Sequence, residues 1–362
     1  MAEISAPTKK LIEKYSLWQQ SLKPKGGVMI HVDEVASRIA AFYEYIRTVI
    51  DWKEEHLMQR AAIIRKLKMR FFDLEMNNFS GAGGIAEPLV LELIRGGHFP
   101  NDKIEESRIG EVQRVIDKYV FILKNSPEKK SGKAGLRFYN WLLEVAACEI
   151  EEILSPAIRE RALIDYMFVL MKEKIKVSEA LYQKGLLKPD DTDVQIYVAV
   201  QQALFKLDKP IISYNLIKYK YPNWTGSEQK SVFRITENIY KIWEKVEETL
   251  DNPAGKKFYS VCEKYDTPYL LLGDVLSQND PATIGRDIKE PAILEDLLRT
   301  AYKKRLSTLK SRLRRAAVYS TISIFVTKIL TLIILEILLA ELFVGHLDFL
   351  RLIADVLIPT GL

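Results

Sequence analysis

The chain is short of cysteine, histidine, glycine and proline. Its 362 residues include 2 Cys, 4 His, 17 Gly and 14 Pro. Cys148 and Cys262 stand far apart with no spacing motif, which excludes a disulfide framework and a thiolate zinc site and fits reduced thiols in a cytosolic compartment. His31, His56, His98 and His346 are scattered. None follows a Glu by three residues, so the E-x-x-H pattern of di-iron bundles is missing, and so is H-E-x-x-H. So little glycine and proline excludes collagen-like and low-complexity chains. The opening "MAEISAPTKKLIEKYSLWQQSL" has no apolar stretch of the secretory kind, and Glu13 and several lysines interrupt its hydrophobics.

A basic surface spread over a fold is missing too. The net charge is +5, and the run from Lys303 to Arg315 holds seven basic residues and no acid, so removing it takes the net charge from +5 to −2. Nucleic acid asks for a broad basic face, so it is not an expected partner.

What remains is helix. Leu11, Tyr15, Trp18 and Leu22 recur at helical spacing and predict a short amphipathic helix over 8–22, ended by "KPKGG". It reads as an interfacial or partner-binding arm, or as a helix packed on the main body. Asp33 is a candidate N-cap. Val35, Ile39, Phe42, Ile46 and Val49, then Leu57, Ile64, Leu67, Phe71 and Leu74, predict one long coiled-coil-like helix. Further helices are predicted over 86–95, 104–124, 136–154, 156–176, 193–207, 211–220, 226–250 and 254–265, with a last long one from Pro291. "NSPEKKSGKAG" at 125–135 is the best boundary. Thr192 with Gln195, and Thr225 with Glu228, read as capping boxes. "VQIYVAV" also suits a strand, but no second strand is near to pair with it.

Three constellations invite chemistry. "GAGGIA" at 81–86 loosely fits a dinucleotide fingerprint, but a long helix precedes it where a strand is needed. "LLEVAACEIEEIL" brings Glu144, Cys148, Glu151 and Glu152 near one another. They fit either a metal or acid–base site, or a solvated acidic face with a buried thiol. "YNLIKYKYPNWTG" interleaves Tyr214, Tyr219, Tyr221 and Trp224 with Lys218 and Lys220. That fits base stacking, a membrane interface, or aromatics covering a turn. No cofactor and no metal follows from any of them.

The strongest signal is "RLRRAAVYSTISIFVTKILTLIILEILLAELF" at 312–343. Between Arg315 and Glu336 lie twenty residues with a single charge, Lys328. Residues 317–335 hold eleven Val, Ile, Leu or Phe. Those eleven contribute about −3 to −7 kcal/mol to insertion, against about +2.5 to +3.5 for a central lysine. Apolar residues surround the helix here, which disfavours a coiled-coil seam and leaves a buried core helix as the alternative to a span. Lys328, Glu336 and Glu341 are the expected intramembrane polar residues. Lys328 either snorkels or pairs with an acid on another helix. Lys303, Lys304, Arg305, Lys310, Arg312, Arg314 and Arg315 are the expected membrane-surface contacts, drawn to anionic lipids and keeping residues 1–315 in the cytoplasm.

"MIHVDEVASRIAAFYEYIRTVIDWKEEHLMQR", "WLLEVAACEIEEIL" and "YKYPNW" together resemble a family of helical, membrane-anchored bacterial proteins with no known activity. The resemblance covers the whole chain. It implies a helical region ahead of C-terminal membrane segments, the bacterial cytoplasmic membrane as the address, and a second segment that runs past residue 362. It carries over no site, ligand or reaction.

The expected fold is therefore an all-α elongated helical array. It comprises an amphipathic arm (1–27), a long helix with a helical subdomain (28–124), a helical domain (136–290), a basic juxtamembrane helix (291–315), a transmembrane helix (316–344) and the start of a second, truncated membrane segment (345–362). The expected function is a membrane-tethered scaffold that binds a protein partner or itself. A membrane-surface enzyme using the Glu-rich face, and a subunit of a transport or secretion assembly, are the alternatives.

Overall fold

Helix periodicity in the sequence becomes helix almost throughout. The computed structural model describes residues 4–23, 26–32, 52–76, 84–126, 132–226 and 229–343. Among them are fourteen α-helices and no strand. The nearest thing to a sheet is an isolated antiparallel bridge between Met29 and Glu105. The chain divides into two compact units, residues 1–298 and 299–362.

In the first unit, α1 (Ala6–Ser21) packs on the body, with Leu11 and Tyr15 buried. Trp18 lies 4.5 Å from the Arg159 guanidinium, and Gln19 donates to the Asn279 carbonyl at 3.0 Å. Next come α2 (Trp52–Met76), α3 (Ala86–Arg95) and α4 (Ser107–Asn125). Gly97, at φ 69°, closes α3 in the left-handed conformation that costs glycine least. Its N–H donates to Ile94 at 2.9 Å and that of His98 to Leu93 at 3.0 Å, a Schellman motif.

Helix α5 (Gly132–Leu154) lies at the centre, against α2, α4 and the later α9 (Lys209–Lys220). Its sequence explains the position, because Trp141, Leu142, Leu143, Val145, Ala146 and Ala147 are apolar on most sides of the helix, with Glu144 the one polar residue among them. The main core cluster draws residues from both sides of 127–131, from Ile30 to Val246. Helices α6 (Ile158–Lys174), α7 (Glu179–Gln183), α8 (Thr192–Phe205), α10 (Gln229–Leu250), α11 (Gly255–Glu263), α12 (Asp266–Gln278) and α13 (Pro281–Asp287) complete the unit. Proline opens α13 at its first position, where the missing N–H costs nothing.

Several expectations change. The coiled-coil-like N-terminal helix is not supported. Residues 33–51 lie outside the described residues, and the described part, α2, sends Ile63, Leu67 and Phe71 into the general core beside α3 and α5. Buried polar side chains on the same face of α2, His56 and Arg60, belong to a globular packing surface and not to a seam. The capping box at Thr192 does not form. Thr192 bonds Tyr182 at 3.0 Å, and Gln195, 1% exposed, donates to the Thr249 carbonyl at 2.8 Å. Its proposed counterpart at Thr225 and Glu228 falls partly outside the described residues, as does "GAGGIA". Helices α7 and α12 have no counterpart in the sequence reading.

The last helix, α14 (Pro291–Phe343), is 53 residues long. At 1.5 Å per residue that is roughly 80 Å. Among the described residues it is the one helix long and apolar enough to cross a membrane, and none of its apolar window is buried. A buried core helix would have that window covered. Residues 345–362, the expected second segment, lie outside the described residues.

Candidate functional site

The Glu-rich stretch of α5 is the most chemically dense part of the first unit. Glu149, Glu151 and Glu152 follow one another around a helix that is covered on several sides, so each reaches a different neighbour.

Glu149 faces α4. Lys118 donates to its Oε1 at 2.5 Å and to the Trp224 carbonyl at 3.0 Å. Tyr119 donates to its Oε2 at 2.8 Å and accepts from Trp224 Nε1 at 3.2 Å. Lys118 and Glu149 are each 5% exposed at the side chain. Burial pulls the Lys118 ammonium below its ordinary pKa against the pull of Glu149.

Glu151 faces α2. It bonds His56 Nδ1 and lies 3.5 Å from Arg60. The other arm of Arg60 reaches both carboxylate oxygens of Asp208, at 2.8 and 3.0 Å. Cys148 sits 4.0 Å from the same guanidinium. Burial pushes its thiol far up, well away from the thiolate that nucleophilic or metal chemistry needs.

Glu152 faces α6 and α9. It accepts from Arg161, from Tyr214 at 2.6 Å and from Lys218 at 2.6 Å. Burial raises its pKa, but the Arg161 hydrogen bond and charge, with Lys218, outweigh that and hold it at about 2. Lys218 is pulled down to about 8, first by burial and then by Arg161. A carboxylate held below its unfolded value stabilises the fold above that value and stops doing so as the pH falls through the folded one. Wild-type thermal stability is therefore expected to drop as pH goes from about 4.5 towards about 2. Glu152→Gln is expected to flatten that limb and lower stability at neutral pH. Melting curves across the acid range check this, and an unchanged acid limb in the variant would refute it.

Neither reading of this stretch survives intact. The acids are not a solvated face, because Glu149 and Glu151 are buried at 4% and 2% exposure. Nor do they converge. Among the described residues no group of three His, Cys, Asp or Glu side chains could hold a metal ion. Each acid is instead matched to cations from another helix, which is how buried charge is tolerated. The aromatic-basic stretch divides likewise. Tyr214 and Trp224 are buried in the core, while Tyr219 is exposed.

Two hollows lie nearby. A cleft of about 450 Å³ is lined by Arg108, Glu111, Arg114, Lys118, Glu149 and Glu152 among others. Two of its cations pair with acids of the same lining, Arg108 with Glu111 at 2.9 Å and Lys118 with Glu149 at 2.5 Å. A groove of about 710 Å³ between α6 and α12 is mostly apolar, with Lys174 and Lys176 among its lining residues.

The expected membrane-facing residues all fall on α14. Lys303, Lys304, Lys310, Arg314 and Arg315 are exposed, and Arg305 and Arg312 are half-buried. Lys328 is exposed in the apolar stretch, and Glu336 and Glu341 lie further along the same helix. What sequence reasoning missed is the set of cations that meet the α5 acids. His56 and Arg60 share a helix face at i, i+4, a spacing that was available to read. Comparison with protein-family models, with curated proteins and with solved structures gives no match.

Proposed function

We propose that this chain is a helical binding scaffold tethered to a membrane by α14. The observation that carries the reading is the apolar window of that helix, none of which is buried, directly after seven basic residues. In water that surface would be a large aggregation-prone patch, whereas lipid is its natural solvent. The helix also takes care of its own hydroxyls. Thr321, Thr327 and Thr331 each donate to the carbonyl four residues back, at 2.8–2.9 Å. Satisfied donors enter hydrocarbon at much lower cost than free ones. The basic run lies on the cytoplasmic side, with Arg314 and Arg315 nearest the anionic headgroups, and the helical region of 1–298 stays on that side. The ion-paired acids of α5 lock helices together, which suits a rigid binding platform.

Membrane fractionation with a carbonate wash tests the tether. The full chain is expected to stay in the pellet. A chain ending at residue 302 is expected in the supernatant, as is the full chain carrying Ile324→Asp, Leu330→Asp and Ile334→Asp. A full-length chain that washes off, or runs as a monodisperse species in plain buffer, would overturn the reading.

A further inference from the structure

The basic stretch of α14 is patterned as well as charged. Tyr302, Leu306, Leu309 and Leu313 recur at spacings of four, three and four. They are 51%, 37%, 49% and 70% exposed. That spacing fills consecutive d, a, d, a positions of a heptad, so the four form one narrow apolar stripe. The flanks are uniform. Lys303 and Lys310 take the e positions, and Arg305 and Arg312 take the g positions. No acidic residue occurs between Asp296 and Glu336.

We propose that Tyr302, Leu306, Leu309 and Leu313 are a docking seam for an acidic amphipathic helix of a partner protein. The inference rests on the membrane tether proposed above and names the partner class of that scaffold.

The charges choose the occupant. In a coiled-coil pair the e and g residues of one helix lie beside those of the other and decide which helices pair. A second copy of this chain would set Arg305 and Arg312 against basic flanks in either orientation, parallel or antiparallel. Like charges so placed disfavour pairing. A helix with Glu or Asp at its own flanking positions turns every one of those contacts favourable.

Lipid does not suit the stripe. The helix runs unbroken from Pro291 to Phe343. If the apolar stretch crosses a bilayer from Ala316, Tyr302 stands about 21 Å further out at 1.5 Å per residue. The stripe then points sideways into water along the helix axis. The basic residues nearest the bilayer, Arg314 and Arg315, remain for headgroups. Four apolar positions make a short seam, too short to hold two free helices together. Confining both partners to one membrane supplies the effective concentration that a short seam needs.

The test uses the full chain reconstituted in phosphatidylcholine vesicles, which removes anionic lipid as a competitor. The probe is a fluorescent, palmitoylated 21-residue peptide with Leu at a and d and Glu at e and g. Its twin carries Lys at e and g. Energy transfer to a dye on the chain reads binding, and flotation reads the tether separately. The acidic peptide is expected to bind at least ten-fold more tightly than the basic one. Leu306→Ala with Leu309→Ala is expected to abolish that binding. Lys303→Glu, Arg305→Glu, Lys310→Glu and Arg312→Glu together are expected to invert the preference. Circular dichroism checks that the variants keep their helix.

Equal binding of the two peptides overturns the inference, as does a preference that ignores the charge reversal. So does cross-linking between two copies of the Leu309→Cys variant that the acidic peptide cannot displace. A chain that floats but ignores the peptide sinks this inference alone. A chain that does not float sinks the tether and takes the seam with it.

Discussion

Glu149→Ala in the full chain is expected to cost about 3–5 kcal/mol, the penalty for stripping one partner from a buried ion pair. Two groups would be stranded together. Lys118, 5% exposed at the side chain, would lose its carboxylate partner at 2.5 Å and keep the Trp224 carbonyl at 3.0 Å and the faces of Tyr119 and Trp224. The Tyr119 hydroxyl would lose the acceptor it now meets at 2.8 Å. A hole would open beside the fully buried Trp224. Lys118 already titrates below its ordinary value because burial disfavours its charge. Without Glu149 that value falls further. A lysine whose folded pKa lies below the unfolded one makes the folded state release a proton as pH rises through the interval between them. The deficit of the variant is therefore expected to shrink in alkaline buffer, the reverse of the acid behaviour at Glu152. Pairing Lys118→Met with Glu149→Leu is expected to recover most of the loss, because apolar groups of similar volume need no counter-charge. Urea and thermal melts in detergent would measure all three proteins. A single variant within about 1 kcal/mol of wild type, in the range of solvated pairs, would mean that α5 is not the buried axis of the unit.

That axis shows where the sequence stops being readable. Leu89, Val90, Leu93 and Ile94 mark one face of α3, and the spacing alone places that helix correctly. Pro281 and Pro291 begin α13 and α14, because proline suits a first turn and nothing later. "VAACEIEEIL" fails for a different reason. Three glutamates in four positions look solvated to any rule that treats one helix at a time. Their surroundings come from Lys118, Arg60 and Lys218, which lie at sequence separations of 31, 91 and 66 from their acids. No local pattern reports which of many cations will arrive. The same holds for Gln195, which looks like part of a capping box until the Thr249 carbonyl, 54 residues away, claims it. The stripe on α14 is the opposite case. Its spacing and its flanking charges are entirely local, and the four side chains are 37–70% exposed. Composition suits the apolar stretch to lipid, while the pattern just before it suits a protein partner.

Lys328→Leu is expected to favour membrane insertion of α14 by about 3–4 kcal/mol, the difference between a lysine and a leucine near the middle of a span. The side chain is exposed on a helix whose neighbours on both sides are almost all apolar. With entry at Ala316 it sits about 18 Å in, past the midpoint of a roughly 30 Å core. Two fates separate by experiment. If the ammonium snorkels to the far headgroups, much of its cost is already relieved. The gain then falls short of the full difference, and the oligomeric state in detergent stays the same. If Lys328 instead meets an acid of a second copy, the leucine removes a bond that holds the assembly together, and oligomers dissociate while insertion of the lone helix still improves. A glycosylation-mapping insertion assay and light scattering on detergent-solubilised protein report the two quantities independently. A variant that changes neither would place α14 outside lipid, because hydrocarbon is not indifferent to trading an ammonium for an isobutyl group on an exposed helix.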